Sequence, residues 1–223
     1  MSLLGIDVGT TGCKAAVFAV DGTQLAAAYE EYDVQRPRPG WDELDAVGVW
    51  QRIRATIRAA VADAPAADPV TALCASSLGE AVVPVTADRE ILGPSSLNSD
   101  SRGAEFLDTL ADALDAEPLY RITGNTLGNH YTLTKLLWLQ KHEPQRYAAT
   151  DHFLHWGAFV SFMLGADAIV DRSLANRTLL FDLDRGDWSQ TLLDATGLFF
   201  DSANRRYSIG VVQLKYFFCR PNP

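Results

Sequence analysis

The stretch Gly5-Ile6-Asp7-Val8-Gly9-Thr10-Thr11-Gly12-Cys13-Lys14 decides how this chain folds. An apolar run from Leu3 to Val8 breaks into small and hydroxylated residues, then resumes from Lys14 to Val20. Asp21-Gly22 separates that second run from a third, Gln24 to Tyr32, and such a dipeptide is a strong hairpin signal. The chain therefore opens as a strand meander. Its first turn can offer backbone amides, two hydroxyls and one cation to an anion, with the Asp7 carboxylate placed to hold a metal ion. The G-x-x-x-x-G-K-[ST] spacing of a Walker loop is missing, so this is a strand-turn-strand anion site rather than a helix N-terminus. An ordinary hairpin, with Gly supplying φ > 0 and the Thr hydroxyls bonding locally, is the alternative for the same string.

Beyond the meander the period changes. Trp50, Ile53, Ile57 and Val61 recur on one face of a helix that Asp45 can cap. Thr71 to Ser76 reads as a short buried strand and Ala81 to Val85 as another, followed by a loop rich in Ser, Asn and Asp from Gly93 to Gly103. Helices are expected at Ala104 to Leu114, Thr132 to Lys141 and Trp156 to Leu164, then a strand at Leu179 to Asp184. A last helix runs from Trp188 to Ala195 and stops at Gly197. Three strands, a crossover helix and a further strand make an α/β layer fold with a mixed sheet and flanking helices.

Of the 19 Lys and Arg and 28 Asp and Glu, the segment after Leu198 holds four and one, which makes it +3 and the remainder −12. That segment reads either as an altered terminus or as a final strand, Ile209 to Leu214, with a frayed end. The net charge of −9 works against nucleic-acid binding and against an anionic membrane surface. No uncharged apolar run reaches the roughly 18 residues of a membrane span, and Asp7 interrupts any signal-peptide core. The three cysteines, Cys13, Cys74 and Cys219, are far apart and suit a reducing cytoplasm.

The segment Val170-Asp171-Arg172-Ser173-Leu174-Ala175-Asn176-Arg177-Thr178-Leu179-Leu180-Phe181-Asp182 resembles the T-D-x-S-x-A-S-x-T-x-L-F-D motif of the FGGY carbohydrate kinases. Pro39-Gly40-Trp41-Asp42-Glu43 resembles their P-G-W-x-E turn, and Asp100-x-Arg102 their D-x-R. Thr123-Gly124 with Lys135-Leu136-Leu137-Trp138-Leu139 resembles their T-G…K-L-x-W-L helix. The Asp7 to Thr11 loop is similar to the first phosphate motif of the wider sugar kinase, actin and chaperone ATPase superfamily. The resemblance implies a ribonuclease-H-like, actin-like domain over residues 1–198, followed by an atypical tail over 199–223. The C-terminal lobe of these kinases, with its adenine site, has no counterpart.

The resemblance also implies roles. Asp171 becomes the general base that takes the proton of the acceptor hydroxyl as it attacks the γ-phosphorus of ATP. Asp7 holds Mg²⁺ through water, Gly9, Thr10 and Thr11 cradle phosphate, and Lys14 neutralises developing charge. Glu80, Asp100 and His130 fall at sugar-facing positions, where acceptor groups suit hydroxyl donors. The local alternatives are a turn cap for Asp171 with Ser173 as its partner, a strand-edge lysine for Lys14, and surface loop residues for the other three. Asn98 stands where many relatives place a sugar-stacking Trp, and Leu78 replaces their Gln, Arg or Met, so their substrate assignments do not transfer.

The expected activity is transfer of the ATP γ-phosphate to a sugar or polyol, pentulose-type favoured, weak or silent in this chain alone. The cofactors are ATP and Mg²⁺, and a homodimer is left open. Two other classes compete: a non-catalytic sugar-binding remnant and an actin-like or chaperone-like ATPase.

Overall fold

The computed structural model describes residues 1–198 and the backbone of 210–211. Strands β1 (Ser2–Val8), β2 (Gly12–Ala19) and β3 (Gln24–Glu31) form the expected antiparallel meander. The β2–β3 turn closes with Gly22 at φ 91°, where its amide donates to Ala19 O at 3.0 Å and Thr23 N donates to Asp21 Oδ1. Glycine meets that positive φ without steric cost. After β4 (Glu43–Leu44), helix α1 (Ala46–Asp63) crosses to β5 (Val70–Ser77), which lies parallel to β1. The sheet order is β3-β2-β1-β5, a mixed sheet.

Alternation explains which face is covered. Leu4, Ile6 and Val8 of β1 and Ala15 and Val17 of β2 point into the core with Val49, Trp50 and Ile53 of α1. Leu3, Asp7 and Lys14 point the other way and are exposed. Two expectations need correction here. Val61 is 42% exposed because the buried stripe of α1 runs through Val49, Ile53, Thr56 and Ala60, and Val61 lies to one side of it. The strand at Thr71 to Ser76 is half-exposed rather than buried, since β5 is paired on one side only among the described residues.

The next elements are β6 (Val82–Val85), β7 (Ser95–Ser96), a 3-10 turn at Ala104–Phe106, α2 (Leu107–Ala113), α3 (Ala116–Thr123), α4 (Thr132–His142) and α5 (Pro144–Ala149). Then come β8 (His152–His155), α6 (Trp156–Met163), β9 (Ile169–Val170), α7 (Arg172–Asn176), β10 (Phe181–Asp182), β11 (Asp187–Trp188) and α8 (Gln190–Thr196). Sequence patterning missed α3, α5, α7 and β8. The first three are short, and β8 pairs antiparallel with the distant β6, Val82 opposite His155 and Val85 opposite His152. The helix expected at Ala104 to Leu114 begins as the 3-10 turn, and that expected at Trp188 to Ala195 starts later, with Ser189 as its cap. The strand expected at Leu179 to Asp184 shrinks to β10, because Leu179 takes φ 66°.

Trp156 and Phe159 of α6 join the main core and stack edge-on 5.2 Å apart. A second apolar cluster gathers Leu119, Leu133, Leu136, Leu179 and Leu192. The backbone at Gly210–Val211 (β12) runs parallel to β9. The rest of the strand expected at Ile209 to Leu214, like the atypical tail, lies outside the described residues.

Candidate active site

The C-terminal ends of the parallel strands β1 and β5 lie side by side, Asp7 opposite Ser76 and Val8 opposite Ser77. Loops leaving such ends form the binding crevice of open α/β sheets. Leu78 N donates to Val8 O at 2.9 Å, which ties the loop carrying Glu80 to the loop carrying Gly9. Ser77 Oγ accepts from Gly157 N at the start of α6, and Leu174 of α7 packs on Gly157. Asp7, the Gly9–Thr11 turn, Glu80 and the Asp171 helix thus share one edge of the sheet.

The turn is held from beneath. Gly9 N donates to Gly12 O at 2.8 Å, and Tyr32 Oη shares its one proton between Gly9 O and Gly12 O, at 2.7 and 3.0 Å. Burial pushes the Tyr32 phenol pKa far up, so it stays a donor. The amide of Gly9 is therefore spent inside the turn, and its expected role as a phosphate donor needs correction: it shapes the loop. Thr10 and Thr11 are exposed, and their amides and hydroxyls make no hydrogen bond as donors among the described residues. Asp7 and Lys14 stand opposite each other in register on the exposed face without closing an ion pair among those residues. Two free amides, two free hydroxyls, a carboxylate and an ammonium fit a phosphate with Mg²⁺, an ion that takes one or two carboxylates and keeps much of its water. No cluster of three metal-ligating side chains occurs among the described residues.

Asp171 is the N-cap of α7. Its Oδ1 accepts from Ser173 N at 2.9 Å, Ser173 Oγ at 2.5 Å and Leu174 N at 3.1 Å, while Oδ2 accepts nothing among the described residues. The capping alternative is thus realised in the geometry. Glu80 pairs with Arg177, a residue that sequence reading passed over because it occupies an unspecified position in the motif.

Asp100 does not line this edge. Its side chain is 0% exposed, and Arg102 Nη2 donates to its Oδ2 at 2.6 Å and to Glu43 Oε2 at 2.7 Å. Asp42 N and Arg102 N take the remaining acceptor sites. The guanidinium packs beside Trp41 and Trp138, which meet edge to face with centroids 5.4 Å apart, its carbon 4.1 and 5.2 Å from those centroids. Lys135 donates to Asp100 O and Arg102 O, and burial pulls its pKa down to about 8. The sugar-facing expectation for Asp100 is corrected to an internal anchor of the 93–103 loop. His130 is exposed and tilts over Tyr131 at 4.0 Å.

Beneath Glu80 and Asp171 sits His155, 0% exposed. Thr132 Oγ1 donates to Glu80 O at 2.6 Å, which uses its one proton, so the His155 Nε2 contact at 3.4 Å makes that nitrogen the donor. Burial lowers the His155 pKa to about 4, against the pull of Asp171 and Glu80. The unfolded chain binds this proton near pH 6.5 and the folded one does not until about pH 4. Stability therefore falls as pH drops through that window, by about 3 kcal/mol in all. Urea unfolding of wild type and His155→Phe between pH 7 and 4 checks this: the variant should lack about one proton's worth of slope.

The sequence profile described as the FGGY family of carbohydrate kinases, N-terminal domain, matches residues 2–202. The chain is 33% identical over 197 residues to the xylulose kinase of Escherichia coli (strain K12), covering 87% of this chain and 40% of that protein. It is 36% identical over 196 residues to a glycerol kinase of Cereibacter sphaeroides (strain ATCC 17029 / ATH 2.4.9), covering 83% and 39%. The crystal structure of a xyloylose kinase from Brucella ovis superposes with a TM-score of 0.82 at 28% identity, over 95% of this chain and 42% of that one. The chain thus spans about two fifths of the length of the curated relatives it matches. With its actin-like, ribonuclease-H-like sheet, this chain belongs to the FGGY family of carbohydrate kinases, through the N-terminal domain of that family.

Proposed function

We propose that this chain is the sugar-side lobe of a cytoplasmic, ATP-dependent kinase that phosphorylates a hydroxyl of a sugar or polyol, with a pentulose-type acceptor favoured. The observation that carries the reading is the Thr10–Thr11 turn, whose free amides and hydroxyls stand beside Asp7 and Lys14. Glu80 lies in the loop that leaves the adjoining strand β5, and Leu78 N ties that loop to Val8 O. Mg²⁺, when bound, supplies charge neutralisation on the transferring phosphate. Asp7 would hold it through water, Thr10 and Thr11 would bind phosphate oxygens, and Lys14 would offset charge on the leaving side. Glu80 and His130 would accept hydrogen bonds from acceptor hydroxyls. The unpaired Cys13 and Cys74 suit a reducing compartment.

The test is coupled ADP release with D-xylulose, glycerol and D-gluconate, run on the 223-residue chain and on its fusion to the C-terminal part of the E. coli xylulose kinase. The fusion is expected to turn over and the chain alone to be slow or silent, because lobe closure excludes water and completes the charge clamp. Sugar-independent ATP hydrolysis instead of transfer would return the protein to the ATPase class. Ordinary kinase rates from the 223-residue chain, abolished by Asp171→Ala, would overturn the dependence on a second lobe.

Asp171 has two proposed roles that one pair of variants separates. The base role would use Oδ2. The hydrogen bonds on Oδ1 serve the second reading, in which Asp171 caps α7, and they leave Oδ2 open for the first. Asn caps a helix as well as Asp, whereas Ala does not. Asp171→Ala is expected to cost about 0.5–2 kcal/mol of stability and Asp171→Asn a few tenths. Loss of about 10²- to 10⁴-fold in turnover with Asn at unchanged stability establishes the base, and wild-type turnover leaves the cap as its whole role.

A further inference from the structure

We propose that Arg177 is a positioning residue of the acceptor site, fixing the Glu80 carboxylate by one oxygen so that the other is presented to a hydroxyl of a neutral polyol. This rests on the kinase reading above. Arg177 Nε donates to Glu80 Oε1 at 2.8 Å, and Nη2 donates to the same oxygen. Both guanidinium contacts therefore fall on Oε1, and Oε2 accepts nothing among the described residues. A carboxylate held this way keeps one oriented acceptor in reserve. Its side chain is only 11% exposed, so an acceptor hydroxyl reaching it leaves most of its water behind.

The pair is braced on three sides. Thr132 Oγ1 donates to Glu80 O at 2.6 Å while Thr132 N donates to Arg177 O at 3.4 Å, so one residue of α4 holds both partners by their backbones. The guanidinium carbon lies 4.9 Å from the centroid of the Tyr131 ring, and the His130 ring lies tilted on that same ring at 4.0 Å. Tyr131 Oη donates to Asn125 Oδ1, and Asn125 Nδ2 donates to Asn176 Oδ1, the residue before Arg177. Arg177 thereby joins three segments that approach the same edge: the β5 exit loop, the start of α4 and the end of α7. Preorganising a binding carboxylate through its neighbours is how a site gains affinity without a new ligand contact.

The experiment is titration of the 223-residue chain with D-xylulose and with glycerol, followed through the amide NMR signals of Gly79 and Thr132, for wild type, Arg177→Met, Arg177→Lys, Glu80→Gln and the double variant. Arg177→Met should weaken polyol binding roughly 10- to 100-fold, the range for one charge-assisted hydrogen bond. Arg177→Lys should recover only part, since an ammonium cannot reproduce the forked contact. The double variant should bind no more weakly than Glu80→Gln alone, because both changes remove one shared function. Arg177→Met also leaves the Glu80 carboxylate, 11% exposed, without its counter-charge, so its melting temperature should fall, and the titrations are run well below that midpoint. Wild-type affinity in Arg177→Met, or additive losses in the double variant, overturns the inference while leaving the acceptor site in place. Failure of the wild type to bind either polyol removes the acceptor reading and this inference together.

Discussion

Arg102→Met is expected to destabilise the protein by about 3–5 kcal/mol, enough to remove a large share of the stability of an ordinary domain. The cause is the pair of acids left behind. Asp100 is 0% and Glu43 10% exposed at the side chain, and Arg102 supplies the counter-charge to both. Methionine keeps some of the packing against Trp41 and Trp138 but leaves two buried carboxylates without the guanidinium that binds both, with the Lys135 ammonium hydrogen-bonded to backbone carbonyls instead. Urea denaturation checks the prediction through a fall in the midpoint at unchanged slope. The triple variant with Asp100 and Glu43 also made apolar should recover most of the loss, because removing a whole buried ion cluster spares its desolvation cost. A loss below about 1 kcal/mol in Arg102→Met would mean that water reaches the cluster.

Asp7→Asn in the active fusion is expected to lower turnover about 10²- to 10³-fold, the cost of deleting one preorganised electrostatic contact to a reacting phosphate. Asn keeps the shape and removes the charge, and Asp7 is exposed, so folding should be untouched. Two readouts separate a metal role from a general weakening. Polyol affinity should stay at the wild-type value, and the Mg²⁺ concentration for half-maximal rate should rise. Equal rates in wild type and Asp7→Asn would remove Asp7 from the metal site.

Much of the fold was legible because its signals are local. The meander follows from alternation and from Asp21-Gly22, and α1 from its apolar period. β8 was not legible: the run from His152 to Met163 is mostly apolar with no clear period, so a buried strand and a buried helix look alike until β6 pairs with the first four residues. The Gly9–Thr11 turn was legible in its residue types but not in its hydrogen bonds. That Gly9 spends its amide on Gly12 while Thr10 and Thr11 keep theirs depends on Tyr32 reaching beneath the turn from the end of β3.

By itself the sequence determined the family and the mixed α/β sheet and singled out Asp7, Thr10, Thr11 and Asp171 as candidates, because period, turn residues and motif are properties of neighbours along the chain. Only the tertiary structure decided which acids are free to act. Asp100 reads as a polar loop residue and is folded inward onto Arg102, whereas Glu80 meets Arg177 from 97 positions away. The physical reason is that the partner of a charge is set by which loops converge at the ends of β1 and β5, and chain order does not record that convergence.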